Sequence, residues 1–204
     1  MQILKDLGRT KRGWRTYMGT CVAGYSSISI HLPDLPFLIP VADPRLTPIG
    51  EEQARSAHAA WEREILRGLP VPQRFYCSPL TRAIRTLQLT FEGILPADLK
   101  PLVLEVQQCR SCLLVHQLTS FSTQNCREHN GAHYCDKRRP KSEVQSEFPD
   151  FVFEEGFEEE DVTWTSERES RENMEKRAKL VLDRIFQEDH DDTCALIPLF
   201  IPNG

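Results

Sequence analysis

The sequence predicts an α/β fold built on a largely parallel sheet. Short apolar runs, RFYCS (74–78), PLVLE (101–105) and TCALI (193–197), alternate with amphipathic stretches of about 12 to 20 residues, the rhythm of strands joined by crossover helices. Gly68, Pro70 and Gly93 stand at the ends of the helical stretches, where breakers belong. The chain has 204 residues, of which 40% are hydrophobic, enough for one domain with a core that needs no staples.

Residues 1–40 show no clear period. The segment 21–42 is apolar, but Pro33, Pro36 and Pro40 limit it to one short strand at most. LTPIGEEQARSAHAAWEREILRG (46–68) is a well-marked helix. Thr47 is a natural N-cap, Pro48 occupies the first helical position, and Glu51 and Glu52 suit the positive end. Ile49, Ala57, Trp61 and Ile65 fall on one face at helical spacing, which predicts the buried stripe. RFYCS reads as a buried strand, PLTRAIRTLQLTFEG (79–93) as a second helix with Pro79 near its start, and PLVLE as another strand. Residues 106–135 are rich in Cys, His, Ser and Gln; CDKRRPKSE (135–143) is basic. FPDFVFEEGFEEED (148–161) is expected to be a solvated acidic loop. SRENMEKRAKLVLDRIFQE (170–188) predicts a long helix with Met174, Ala178, Val181 and Ile185 as its core stripe, and TCALIPLFI begins as a final strand.

The net charge of −5 argues against general nucleic-acid binding, and no run of about 18 apolar residues exists to span a membrane. Seven irregularly spaced cysteines fit a reduced, cytoplasmic chain better than a disulfide scaffold. Lys5, Arg9, Lys11, Arg12 and Arg15 precede no clean apolar segment, so no secretory signal is expected. One local feature asks for a ligand. Arg82 and Arg85 sit in the first turns of a buried helix, where the helix dipole disfavours cations, so something negative is expected to meet them.

DPRLTPIGEEQA (43–54), YCSPLTRAIRT (76–86), CREHNGAHYCDKRR (126–139) and FPDFVFEEGFEEEDVTW (148–164), in that order, resemble the histidine phosphatase superfamily, the phosphoglycerate mutase-like family. With the long helix that follows, the resemblance covers residues 43–187. It implies a three-layer sandwich, a mixed and mostly parallel sheet with helices on both faces. It also implies metal-independent phosphomonoester hydrolysis through a phosphohistidine, with no cofactor and with a phosphorylated small molecule or phosphate as ligand. Arg82 matches the family's phosphoryl-binding arginine; a guanidinium at a helix N-terminus supplies forked donors beside free N–H groups. Glu128, in CREHNG, matches the general acid that protonates the leaving oxygen, a task suited to a carboxyl whose pKa burial raises. Ser78 is expected to cap the helix or lend its hydroxyl, and Arg85 to be structural.

The chain departs from the family pattern in three places. No Arg-His pair exists to supply the nucleophile. TCVAGYSS (20–27) matches the corresponding segment only at Gly24-Tyr25 and puts Thr20 and Cys21 where arginine and histidine belong. His31, His58, His116, His129, His133 and His190 match neither catalytic position, and His58, inside the first helix, is expected to be packed or capping. The second histidine should follow the final strand, so the domain is expected to be truncated at its C-terminal end and catalytically incomplete, a pseudoenzyme. Residues 106–124 separate PLVLE from NCREHNG and read as a non-family insertion; Val codons begin with GT and a Gln codon ends in AG, the borders of a retained intron. Residues 1–204 are thus expected to form a single domain with a divergent segment at 1–40. Two rival readings remain. One is a non-catalytic phospholigand-binding or scaffold protein. The other is a zinc module on Cys109, Cys112, Cys126 and His129, with His116, His133 and Cys135 nearby, at spacings suited to a tetrahedral site.

Overall fold

A computed structural model describes residues 5–6, 17–18, 41–95, 99–103, 130–154, 156–188 and 194–197. The expected insertion at 106–124 and most of the segment 1–40 lie outside the described residues. The described strands are β1 (Lys5–Asp6), β2 (Tyr17–Met18), β3 (Arg74–Cys77), β4 (Leu102–Val103), β5 (Val152–Phe153) and β6 (Cys194–Ile197). They form one sheet in the order β1-β2-β6-β3-β4-β5. Only β1 and β2 pair antiparallel; β2–β6, β6–β3, β3–β4 and β4–β5 are parallel, with Tyr76 opposite both Leu102 and Leu196. The chain is therefore α/β, with the mixed, mostly parallel sheet that the strand–helix alternation predicts.

Helix α1 (Pro48–Leu66) starts as expected: Gly50 N donates to the Thr47 side-chain oxygen at 3.1 Å, and Pro48 opens the first turn. Its buried side differs from the expected stripe by one residue. Gly50, Ala54 and Ala57 are buried, Trp61 is half-buried, and Ile49 is 69% exposed. Small residues occupy the inner face, where α1 packs against α2 (Thr81–Thr90), and a Cβ on Gly50 would stand 2.9 Å from Leu46 Cδ2. Gly68, at φ 94, then closes the helix, its N–H on the Ile65 carbonyl at 2.9 Å.

Helix α2 is buried on nearly every side, from Thr81 through Thr90. Ala83, Ile84, Leu87 and Phe91 join Phe75, Cys77 and Val103 of the sheet in one apolar cluster. Phe91 stands edge-on to Phe75 at 4.8 Å and tilted to Trp61 at 5.0 Å, so one ring links the sheet to α1.

Two segments differ from expectation. FPDFVFEEGFEEED is not simply a solvated loop. Phe148, Phe151, Phe153 and Phe157 are buried in the core cluster, and Val152–Phe153 form the edge strand β5, with Val152 N bonded to the Pro101 carbonyl at 2.9 Å. The side chains of Glu158, Glu159 and Glu160 face solvent, as the charge run suggests, and so do those of Pro149, Asp150 and Val152. The basic stretch before it contains a helix, α3 (Lys141–Glu147), that its charge concealed; Val144 is its fully buried anchor. Helix α4 (Arg171–Glu188) forms where predicted, with Asn173 N on the Ser170 side chain at 3.2 Å. Val181 is buried and Met174 half-buried, but Ala178 is exposed and Arg177 takes the inner position, because its guanidinium is neutralised by Glu169. The Ile185 side chain lies outside the described residues. Among the described residues no helix is long and apolar enough to cross a membrane.

Phe91 is fully buried at the junction of sheet, α1 and α2. Phe91→Ala is expected to lower unfolding free energy by about 3–5 kcal/mol, read from urea denaturation, whereas Ile49→Ala should change it by roughly 0.5 kcal/mol or less.

Candidate functional site

The site is built around the first turn of α2. A helix leaves its first N–H groups without intrahelical partners, and a buried helix needs them satisfied. Ser78 does not do this: its side-chain oxygen lies 3.5 Å from Leu80 N, at the outer limit of a hydrogen bond, and the N-cap residue is Leu80. The cap comes instead from Asp43, 38 positions earlier. Thr81 N donates to Asp43 Oδ1 at 2.8 Å and the Thr81 hydroxyl to Oδ2 at 2.7 Å. Asp43 sits at φ 45, a left-handed conformation that Asp tolerates better than most side chains.

Arg82 points inward. Its Nη1 donates to the Cys135 carbonyl at 2.9 Å and its Nη2 to Asp136 Oδ1 at 3.1 Å, with side-chain exposures of 9% for Arg82 and 4% for Asp136. Asp136 also receives Arg168, whose Nη1 lies 3.2 Å from Oδ2 and 3.3 Å from the Gly131 carbonyl. The negative charge expected at this helix end is thus present within the protein, as Asp43 on the backbone and Asp136 on the guanidinium. Arg85 reaches Glu51 at 3.2 Å and Gln88 at 2.6 Å, so it ties α2 to α1 and to its own next turn.

The turn that presents Cys135 and Asp136, residues 130–139, is clamped by the 158–169 segment. Gly131, at φ 81, lies so close that a Cβ on it would stand 1.9 Å from the Glu167 carbonyl oxygen. Ala132 N donates to the Thr165 carbonyl at 3.1 Å, and Trp164 Nε1 to the His133 carbonyl at 3.0 Å. Asp161 gathers Arg138 N at 2.7 Å, Thr163 N at 3.2 Å and Trp164 N at 3.1 Å. The buried Arg138 guanidinium donates to the carbonyls of Glu158, Glu159 and Glu160 at 2.9, 3.1 and 3.0 Å and lies over the Phe157 ring at 4.5 Å. Arg139 runs the other way, to the Thr81 hydroxyl and to Glu147, both at 2.8 Å. Glu169 holds both ends together, paired with the buried Arg177 and accepting from Asn130 N at 3.2 Å.

Of the residues singled out from sequence, Arg82 is placed at α2 as expected, while Glu128 lies outside the described residues. So do Thr20, Cys21, Gly24, Tyr25, His31, His116, His129, His190, Cys109, Cys112 and Cys126. His58 is a packing residue, its Nδ1 3.2 Å from the Thr90 carbonyl at the end of α2 and its Nε2 3.5 Å from Glu62. Among the described residues no cluster of His, Cys, Asp and Glu is arranged to hold a metal. Burial, then the neighbouring Asp136 carboxylate, push the Cys135 thiol above its ordinary pKa, which opposes a thiolate nucleophile there. A cavity of about 350 Å³ beside α2 is lined by Arg45, Glu51, Thr81, Arg85 and Glu147 among others, and Arg82 is not in its wall. Asp43, Asp136, Arg139 and Arg168 escaped the sequence reading. Their roles depend on partners far along the chain, and no local pattern marks them.

A family model described as histidine phosphatase superfamily (branch 1) matches residues 38–107. "Probable phosphoglycerate mutase" of Arthroderma benhamiae is 31% identical over 149 residues, covering 72% of this chain and 40% of that protein. "Phosphomutase-like protein 3" of Candida albicans is 28% identical over 151 residues, covering 74% of this chain and 41% of that protein. "Phosphoglycerate mutase-like protein 1" of Arabidopsis thaliana is 34% identical over 53% of this chain and 41% of its own length. The chain spans less than half the length of the curated relatives it matches.

Burial pushes the Asp43 carboxyl above the ordinary carboxylate range, opposed by the Thr81 hydroxyl and by Arg82. A carboxyl whose folded pKa is raised contributes stability in acid, and that contribution is lost as pH rises from the unfolded pKa through the folded one. Asp43→Asn keeps an acceptor for Thr81 N and removes the titration. Urea midpoints measured across that window are expected to show a stability loss with rising pH in the wild type that is smaller in the variant.

Proposed function

Because the chain belongs to the histidine phosphatase superfamily, we propose that it is a phosphoglycerate mutase-like phosphatase domain of the metal-independent kind that binds phosphorylated small molecules in the cytoplasm but is catalytically incomplete. In this reading the sheet carries helices on both faces as a three-layer sandwich. Arg82 binds the phosphoryl group and Glu128 is the proton donor. The observation that carries the reading is the placement of Arg82: a guanidinium in the first turn of a buried helix, following the central strand β3, with a carboxylate already held against it. Ligands of open parallel sheets bind beyond the carboxyl ends of the strands, and α2 starts there.

The incompleteness follows from the nucleophile. Phosphoryl transfer through a phosphohistidine needs the histidine of an Arg-His pair, and the 204 residues contain none. Binding groups alone form no covalent intermediate. A non-catalytic, phospholigand-binding role is the same site without that step, and the inward pairing of Arg82 with Asp136 favours it over turnover.

The chain is expected to hydrolyse p-nitrophenyl phosphate at the background rate. Metal-independent turnover that disappears in Cys21→Ser would identify a cysteine nucleophile and overturn the assignment; turnover lost with one of the six histidines would locate a different one. Phosphate titrations at fixed ionic strength should show Arg82→Ala weakening binding by about 10- to 100-fold, the worth of a charged hydrogen bond, with Arg85→Ala leaving affinity intact and lowering stability. Equal losses of affinity from both would point to a diffuse basic patch. Removal of residues 106–124 is expected to keep or raise stability; a loss of about 2 kcal/mol or more would make that segment structural.

A further inference from the structure

We propose that Arg168 is a second phosphate ligand beside Arg82, and that the Asp136 carboxylate is the resident anion that an incoming phosphate replaces on it. The inference rests on the reading of Arg82 as the phosphoryl-binding residue. Arg82 and Arg168 approach opposite oxygens of one carboxylate, Oδ1 at 3.1 Å and Oδ2 at 3.2 Å. Asp43 lies on the Arg82 side of this cluster, so among the described residues it is Arg168 that has no carboxylate beyond the one it shares, which favours a further anion on it.

The two arginines differ in freedom. The Arg82 side chain is 9% exposed and both of its terminal nitrogens are engaged, one on Asp136 and one on the Cys135 carbonyl. The Arg168 side chain is 39% exposed. It uses Nη1 alone, for two contacts at 3.2 and 3.3 Å, beyond the ordinary optimum for a charged pair. Its Nε and Nη2 make no hydrogen bond to any described residue. Arg168 is therefore the solvent-facing arm, with donors in a forked geometry suited to two phosphate oxygens. Moving it from a carboxylate to a phosphate exchanges one charged pair for another and leaves Asp136 still bonded to Arg82.

The test is calorimetric titration of the full chain with inorganic phosphate at fixed ionic strength, with melting temperature in phosphate-free buffer measured alongside. Arg168→Ala is expected to weaken phosphate binding about tenfold, and Arg168→Lys to recover part of it as a point charge without the fork. Asp136→Asn is expected to bind phosphate more tightly than wild type, even while it lowers the melting temperature, because the competing carboxylate charge is gone. A purely structural ion pair predicts the lower melting temperature without the tighter binding. Wild-type affinity in Arg168→Ala alongside a loss in Arg82→Ala would overturn the role of Arg168 and leave that of Arg82 standing. Unchanged or weaker binding in Asp136→Asn would overturn the replacement of Asp136. No binding by the wild type would overturn both assignments together. Should Arg168→Ala not fold, the Arg168→Lys and Asp136→Asn titrations decide the matter by the same criteria.

Discussion

The hydroxyl of Thr81 stands between a carboxylate and a guanidinium, donating to Asp43 and accepting from Arg139. The rest of the structure depends on that contact, because α2 is buried on nearly all sides and its first N–H groups, which no intrahelical carbonyl serves, need a partner inside the protein. A helix at the surface is capped by its own flanking residue. This one is capped by a segment that precedes α1, and the same hydroxyl recruits the turn that precedes α3. Three stretches of chain therefore converge on one side chain, and the position of Arg82, one residue later, follows from it.

Buried arginines extend this scheme in two ways. Arg82 and Arg177 are matched to carboxylates, Asp136 and Glu169, and removing either partner would strand a charge. Arg138 is held largely by backbone: successive carbonyls of Glu158, Glu159 and Glu160 close around it above the Phe157 ring. The acidic run thus has two faces. The carboxylates of Glu158, Glu159 and Glu160 meet water, while their peptide oxygens enclose a cation and so fix the loop that clamps residues 130–139. A planar, always-charged fork can serve several carbonyls at once, which a lysine cannot do with comparable geometry.

How much was legible from sequence follows the range of each interaction. The Thr47-Pro48 start, the β3–α2 succession and the α4 helix rest on local chemistry and are found where expected. The placement of Arg82 at a helix start was legible for the same reason. The inner face of α1 was misread by one residue because its buried positions are the small Gly50 and Ala54, and a hydrophobicity pattern rewards the larger Ile49. Strand β5 was hidden because its aromatics are followed by glutamates whose charge dominated the segment, though Phe151 and Phe153 face the core. Asp43, Asp136 and Arg168 had no local signature at all, since each is defined by a partner more than thirty positions away in the chain or on another segment.

Strand β6 is the last of the described strands, yet it lies inside the sheet, between β2 and β3. During synthesis the β3-β4-β5 unit, with α2 packed on it, can assemble while β6 has not yet left the ribosome. The β1–β2 pair has no partner in that unit, because its route to β3 runs through β6. Completion of the sheet is thus a late step that closes contacts of large sequence separation, the kind that slow folding. Until it happens, β3 presents an open backbone edge to neighbouring nascent chains, and the interval before residues 194–197 arrive is when the protein is most exposed to mispairing.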